Sequence, residues 1–420
     1  MLLMSGKDTQ QTIRIGVLGI ARGSTYAKDS DELGIKLVAV CDRNESRLQK
    51  FKESHGDVGI YTDYDQFLEH DMDAVVIANY FHQHAPFAIR ALRAGKHVMS
   101  ETSACKTIQE GVQLCREVER SGKIYMFAEN YPYFSVNQEM KKLYQQGVIG
   151  EVKYAEGEYV HPVPLETRLS YSPGLDHWRN HCPSTYYCTH SIAPLMHITD
   201  TMPVRVNAWS ITDPEQEKTM VKVGDPLSVI TCRMDNGAVF RLLNGGLAGH
   251  RYYFRVHGFK GMMDVAGPIS NGNIRIIRNE WELGPDEQEE LVYKTKFPAH
   301  AGLAKKAGHG GGDFWTRFHF AQAIRSGEQP YLNVYRGVAM TAVGILAWKS
   351  ALEEGATYEV PDFSKEEVRK LHEHDDWSPW PEDRRPGQPW PSIRGQLIPS
   401  KEAVANAQRV WAEVKGVYDR

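Results

Sequence analysis

The stretch Ile13-Arg14-Ile15-Gly16-Val17-Leu18-Gly19-Ile20-Ala21-Arg22-Gly23-Ser24 decides the reading of this chain, because an apolar strand pattern runs straight into a glycine-bearing turn. A dinucleotide fingerprint would put Gly-x-Gly-x-x-Gly at such a turn, ahead of a helix. Gly19 suits the tight turn, Ala21 stands where a second glycine lets backbone approach a pyrophosphate, and Gly23 or Ser24 takes the helix-packing position. The plainer alternative is a strand-to-helix turn that holds no ligand. Asp42 closes the next apolar run about 20 residues on, where a carboxylate accepts hydrogen bonds from the adenosine ribose. An acid there repels a 2′-phosphate and favours NAD over NADP, although neighbouring Arg43 leaves NADP open and Asp42 also reads as a solvated turn residue.

Working outward, short apolar runs alternate with helical stretches from Thr12 to Ala128, the pattern of a doubly wound parallel sheet with crossover helices. Strands are expected at Ile13–Leu18, Leu37–Cys41, Ala74–Ala78, His97–Ser100 and Tyr125–Ala128. Helices are expected near Glu45–Glu53, Ala85–Ala94 and Ile108–Arg120, the last two closed by Gly95 and Gly122. Past Gly150 the pattern changes to period-two alternation at Val152–His161, Val204–Ile211, Leu227–Met234, Ala238–Leu243 and Tyr252–Gly258, with Asp235-Asn236-Gly237 as a hairpin turn. Two helical patterns follow at Asp313–Arg325 and Tyr335–Glu354, then a Trp- and Pro-rich stretch from Asp376 to Arg394 that reads as an ordered loop or arm. The expectation is a Rossmann domain over 12–128, an α+β domain with a large open, mostly antiparallel sheet over 129–360, and a C-terminal arm over 361–420.

Composition sets the outer limits. At 420 residues, 41% hydrophobic and 24% charged, the chain is ordinary globular protein, which excludes disorder and collagen-like repeats. Lys plus Arg at 49 against Asp plus Glu at 53 gives a net charge of −4 without a basic block, so nucleic acid is not expected as a partner. No run reaches the ~18 apolar residues of a membrane span, and Met1–Gln11 lacks the apolar core of a signal peptide. Six scattered cysteines read as free thiols, and a cytoplasmic location is expected.

Val75-Val76-Ile77-Ala78-Asn79 with His84, followed by Ala91-Leu92-Arg93-Ala94-Gly95-Lys96-His97-Val98-Met99-Ser100-Glu101, resembles the Gfo/Idh/MocA family of sugar oxidoreductases. That resemblance implies a Rossmann domain followed by an α+β domain whose open sheet faces the nicotinamide and often mediates homo-oligomer formation. Ordinary dehydrogenases of the family carry Glu-Lys-Pro where this chain reads Glu101-Thr102-Ser103, so their lysine is missing. Further text is similar to the glycoside hydrolase family 109 branch: Met126-Phe127-Ala128-Glu129-Asn130 with Tyr133, Glu156 to His161, Trp178-Arg179, Tyr187 with Thr189-His190, and His309-Gly310-Gly311 with Asp313. The branch implies bound NAD and redox-neutral cleavage of a glycoside: oxidation at C3, loss of the C2 proton, departure of the C1 substituent, water addition and re-reduction. Gly19, Ala21, Arg22, Gly23, Asp42, Arg43, Asn79, His84, Glu101, Trp178 and Arg179 are the expected cofactor-binding residues.

On an extended strand Tyr159 and His161 point to one face. Glu129 falls at the carboxyl edge of the last Rossmann strand, where ligands bind in open α/β sheets. Tyr187 and His190, three apart, share a side if their segment is helical. These five are the candidate catalytic groups, with Tyr159 at the C2 proton and His190 with Tyr187 at the C3 hydroxyl. Each has a plainer reading: a core-packed Tyr159, a structural ion pair for Glu129, a core or helix-capping His190. Two carboxyl groups flanking a scissile bond, as direct displacement requires, are not identifiable. His177, His181, Cys182, Cys188, His190 and His197 crowd one segment but match no closed zinc spacing, so no metal is expected. His250 and Arg251 read as sugar-hydroxyl contacts or as a solvated turn. The rivals to a glycosidase are a net sugar or polyol dehydrogenase and a non-enzymatic NAD and sugar sensor.

Overall fold

The computed structural model describes residues 11–249 and 251–413, and His250 with the two chain ends lies outside them. Six strands form the first sheet: β1 (Ile13–Leu18), β2 (Ile35–Cys41), β3 (Gly59–Tyr61), β4 (Ala74–Ile77), β5 (His97–Ser100) and β6 (Tyr125–Phe127). Their order is β3-β2-β1-β4-β5-β6 and all pairings are parallel. The chain therefore leaves β1 in one direction and returns beside it as β4, and a crevice opens where the two crossovers diverge. Local chemistry starts and stops the helices, and Gly122 closes its helix as expected. Thr107 caps Ile108–Ser121 by accepting the Glu110 N–H, and Gly122 ends it at φ +64° with its N–H on the Val118 carbonyl. The three-residue β3 and the helix Tyr64–Glu69 went unread in the sequence, being too short to show a period.

The second sheet contains β7 (Val152–Val160), β8 (Pro203–Ile211), β9 (Leu227–Met234), β10 (Val239–Gly245), β11 (Arg251–Gly258), β12 (Gly261–Val265), β13 (Asn273–Arg278), β14 (Glu290–Lys294) and β15 (Tyr358–Glu359), in the order β14-β13-β12-β11-β7-β10-β9-β8-β15. It is mostly antiparallel. The exception lies at its centre, where β7 runs parallel to β10 and antiparallel to β11. Gly157 on β7 lets the helix Thr189–Thr199 settle onto the sheet, since a Cβ there would come within 2.9 Å of the Ser191 carbonyl carbon. The helix Val334–Leu352 is buried on nearly all sides, as the apolar run from Val338 to Trp348, with Thr341 its one hydroxyl, requires.

Beyond residue 360 the chain turns back along the molecule. Arg369 and Arg116 tie it to the first domain through Glu119 and Glu366. Trp380 is fully buried, stacks on His82 at 5.4 Å and donates its indole N–H to the Trp178 carbonyl at 3.2 Å. The helix Lys401–Glu413 packs Ala403, Ala407 and Val410 against Leu169 and Val221, bracing the segment that precedes Trp178.

Candidate active site

A cleft of about 1740 Å³ lies between the carboxyl edge of the parallel sheet and the second sheet. A single small-ligand site takes ~300–1,000 Å³, so this one has room for a dinucleotide and a second molecule. Gly19 holds φ +82°, and a Cβ there would lie 2.5 Å from the Ala78 carbonyl oxygen. Asp42 is buried, accepts the Ile20 N–H at 3.0 Å and the Asn44 N–H at 2.9 Å, and meets Arg47 at 3.2 Å, which fastens the glycine loop to the end of β2. Arg43 lies over the Tyr80 ring at 4.4 Å. The Asn79 side-chain oxygen is buried in the wall without a partner among the described residues. These are the features a dinucleotide uses: a tight glycine turn, a carboxylate at the end of β2 and an unspent polar atom on the crevice floor.

Other expected cofactor residues are committed inside the protein. Both His84 ring nitrogens face backbone carbonyls, Ser103 at 2.8 Å and Asn79 at 3.2 Å, and burial pushes the imidazole down from its usual range. Arg22 reaches Glu101 at 2.6 Å and Asp313 at 3.1 Å, and Tyr26 donates to Glu101 at 2.8 Å. Asp313 also pairs with His309 at 2.9 Å and accepts from Asn130 at 2.9 Å. Burial alone would raise the Asp313 carboxyl, but His309 and Arg22 outweigh it and hold it well below the usual range. Gly23 stands behind the wall, where its missing side chain makes room for Val17.

The facing wall carries the proton-handling groups. Glu129 has a fully buried side chain and lies behind the His190 ring, whose Nδ1 sits 2.9 and 2.8 Å from the two carboxylate oxygens. That pairing orients the imidazole and leaves Nε2 as its other functional nitrogen. Tyr131 stacks on the same ring at 4.7 Å, and the Tyr159 ring lies 4.6 Å from it. Tyr252, directly opposite Tyr159 in the β7–β11 register, stacks on it at 5.5 Å. His161 follows at 5.8 Å from Tyr159, on the same side of the strand. Arg179 donates to the Tyr187 hydroxyl at 2.8 Å, and its guanidinium covers Trp178 at 4.4 Å. Burial, then Tyr252 and Tyr187, push the Tyr159 phenol well above its usual range, with Arg179 acting against them.

Tyr159, His161, Tyr187 and His190 thus share one cleft with Gly19, Ala21, Arg22, Asp42, Arg43, Asn79, His84, Glu101, Trp178 and Arg179. Tyr131, Tyr252, Arg168 and Lys222 also line it and were not singled out in the sequence. Tyr252 alternates correctly along β11, but its partner is set by a register that sequence does not display. His177, His181 and His197 are each pushed down by burial, and Cys182 and Cys188 are buried thiols. Among the described residues no group of three or more His, Cys, Asp or Glu side chains could hold a metal ion. No helix among them is long and apolar enough to cross a membrane.

Residues 13–129 match the oxidoreductase family with an NAD-binding Rossmann fold, and 137–264 match the GFO/IDH/MocA C-terminal domain. The chain belongs to the Gfo/Idh/MocA oxidoreductase family. Within it, residues 206–370 match the glycosyl hydrolase 109 C-terminal domain. A glycosyl hydrolase family 109 protein of Shewanella sp. (strain ANA-3) is 24% identical, covering 84% of this chain and 86% of its own length. An alpha-N-acetylgalactosaminidase of Shewanella oneidensis is 23% identical over the same shares. Among solved structures, an oxidoreductase domain protein from Kribbella flavida superposes with a TM-score of 0.71 at 19% identity. Levoglucosan dehydrogenase in complex with NADH and L-sorbose does so with 0.71 at 21%. Each covers 84% of this chain and 100% of its own, and at these identities they speak for the fold alone.

Proposed function

We propose that this protein is an NAD-dependent, redox-neutral glycosidase. The supporting observation is that two proton-handling groups, His190 backed by Glu129 and Tyr159 at 4.6 Å from it, share one wall. A net dehydrogenase needs a base only at the hydroxyl being oxidised, whereas elimination needs a second group at the neighbouring carbon. NAD held at the glycine turn would supply a hydride acceptor and donor for C3 of the sugar.

In this reading the His190 Nε2 takes the C3 hydroxyl proton and later returns it, with Glu129 fixing the ring. Tyr187, whose oxygen already accepts from Arg179, donates a hydrogen bond to the same substrate oxygen and keeps its proton. Tyr159 serves the C2 proton. Its raised phenol rests protonated, so that proton must move first, and His161 is the neighbour on the same strand face. The names of the glycosyl hydrolase 109 relatives support glycosides as the substrate class. A sugar dehydrogenase is the second reading, favoured by that same protonated Tyr159. Incubation with a glycoside panel, recording aglycone release and NADH together, tests both. Release without net NADH is expected, stoichiometric NADH would replace the first reading by the second, and binding with neither would indicate a sensor.

We also infer that the face of the second sheet turned away from the helix Thr189–Thr199 joins a second copy of the chain. There Trp209 is 58% exposed, and Arg241, Glu156, Arg255, Asp264 and Arg275 alternate in charge across neighbouring strands. Light scattering should give a dimer or larger for the wild type and a smaller species for Trp209→Asp. A monomeric wild type would remove this inference.

A further inference from the structure

The part of the cleft wall contributed by residues 131–310 is lined by lysine, arginine and histidine and, among the described residues, by no aspartate or glutamate. The carboxylates that line the cleft, Asp42, Asp63 and Glu101, all come from the Rossmann side. A pocket built only for neutral sugar hydroxyls has use for acceptors as well as donors, and this wall is short of charged acceptors.

Arg168, in the helix Leu165–Ser170, is the extreme case. Its guanidinium is half-buried and makes no hydrogen bond or ion pair with any described residue. It rests against Gly246, where a Cβ would lie 2.6 Å from Nη2, and the adjoining Gly245 carbonyl accepts the His161 N–H at 2.9 Å. The cation therefore sits at the strand end that carries Tyr159 and His161, where burial opposes its charge and Tyr187 and Tyr159 favour it. Lys222 lies nearby on the wall, donating to the Cys182 carbonyl at 2.6 Å and the Arg179 carbonyl at 3.4 Å. Burial, with Arg168 and Arg179 alongside, pushes its ammonium down to about 8. The carboxylate acting on Lys222 is Asp225, which is occupied by the Ser392 hydroxyl at 2.6 Å and the Ile393 N–H at 3.0 Å.

A guanidinium removed from water without a partner costs stability, and a planar anion would relieve that cost through paired, charge-assisted hydrogen bonds. We propose that this end of the cleft recognises an anionic group on the sugar, a carboxylate or a sulfate ester, seated against Arg168 with Lys222 and Arg179 beside it. The inference rests on the reading of this cleft as a sugar site and narrows its substrate class. The pyrophosphate of a dinucleotide would lie at the glycine turn on the opposite wall, which leaves Arg168 for the substrate.

Calorimetry on NAD-loaded protein tests this with methyl glucosides and galactosides, the matching methyl uronides, and their sulfate esters. At least one acidic member should bind roughly tenfold more tightly than its neutral parent. Arg168→Gln should bring that ratio to within about threefold, and Arg168→Lys should restore part of it. Uronides favoured over sulfates identify the carboxylate, and the reverse identifies the ester. Equal or tighter binding of all neutral members, an unchanged ratio in Arg168→Gln, or a fall in NAD affinity in its place overturns the proposal. Aglycone release and NADH, read on the same samples, keep the two readings apart. An acid preference without aglycone release retains the anion site and removes the glycosidase, and release from neutral glycosides alone does the reverse.

Discussion

On the Rossmann wall nearly every charged side chain is spent within the protein. Asp42 holds the Ile20 and Asn44 amides, Glu101 and Asp313 share Arg22, and both His84 nitrogens face carbonyls. Across the cleft, Tyr159, Tyr252 and Tyr131 pack ring on ring around a His190 anchored on one side only, and Arg168 is matched by nothing among the described residues. The first wall presents backbone and prepaid dipoles, which suits a cofactor of fixed shape. The second presents a layer of aromatic and cationic side chains to the cleft, which suits chemistry and substrate choice.

That contrast can be broken most sharply at His190. His190→Gln should slow the first hydride transfer to bound NAD by roughly 10²- to 10⁴-fold while cofactor affinity holds. Single-turnover absorbance measures it, and a change within a few-fold would reduce the His190–Glu129 pair to a structural one. Tyr159→Phe keeps the ring in its stack and removes the phenol, so C2 exchange with deuterated solvent and cleavage should fall together by about 10²-fold or more, with C3 oxidation intact. Loss of C3 oxidation in its place would exchange the roles of Tyr159 and Tyr187.

On the opposite wall the effects should be smaller and confined to the cofactor. Asp42→Ala removes the carboxylate that fastens the glycine loop and, in the proposed site, would meet the ribose, at an expected cost of about 1.5–3 kcal/mol in NAD binding. Calorimetry showing unchanged affinity would take Asp42 out of the site. The smallest effect concerns acid stability. Burial, with Lys141 nearby, pushes His319 down to about 4, and burial, with Arg179 and Arg43, pushes His177 down to about 3. Their stabilising contribution is complete above an ordinary histidine value of about 6.5 and is lost as pH falls towards those folded values, because the unfolded chain takes up protons that the folded one refuses. His319→Gln should therefore show a smaller drop in melting temperature between pH 7 and pH 5 than wild type, and an equal drop would assign the acid sensitivity elsewhere.

Much of this was legible in the text because it depends on neighbours along the chain. Strand β1 ends where its pattern ends, Gly19 takes the positive φ that its turn requires, and Gly122 closes its helix. Tyr159 and His161 share a face by a period of two, and Tyr187 and His190 come to one cleft on consecutive helical turns. The strands β12, β13 and β14 went unread. β12 is five residues long, and β14 is mostly exposed, so no burial alternation marks it.

Tertiary structure alone decided the rest. Glu129 meets His190 across 61 residues, Arg22 meets Asp313 across 291, and Tyr252 faces Tyr159 through strand register. It also left Arg168 beside Gly246 with no described partner and set Glu129 behind His190 and out of direct reach of the cleft. Local periodicity determines which face a residue occupies, because backbone geometry repeats every two or 3.6 residues. Which distant side chain fills the space opposite is settled only when layers pack and loops close, since burial rewards contacts regardless of their separation in the chain.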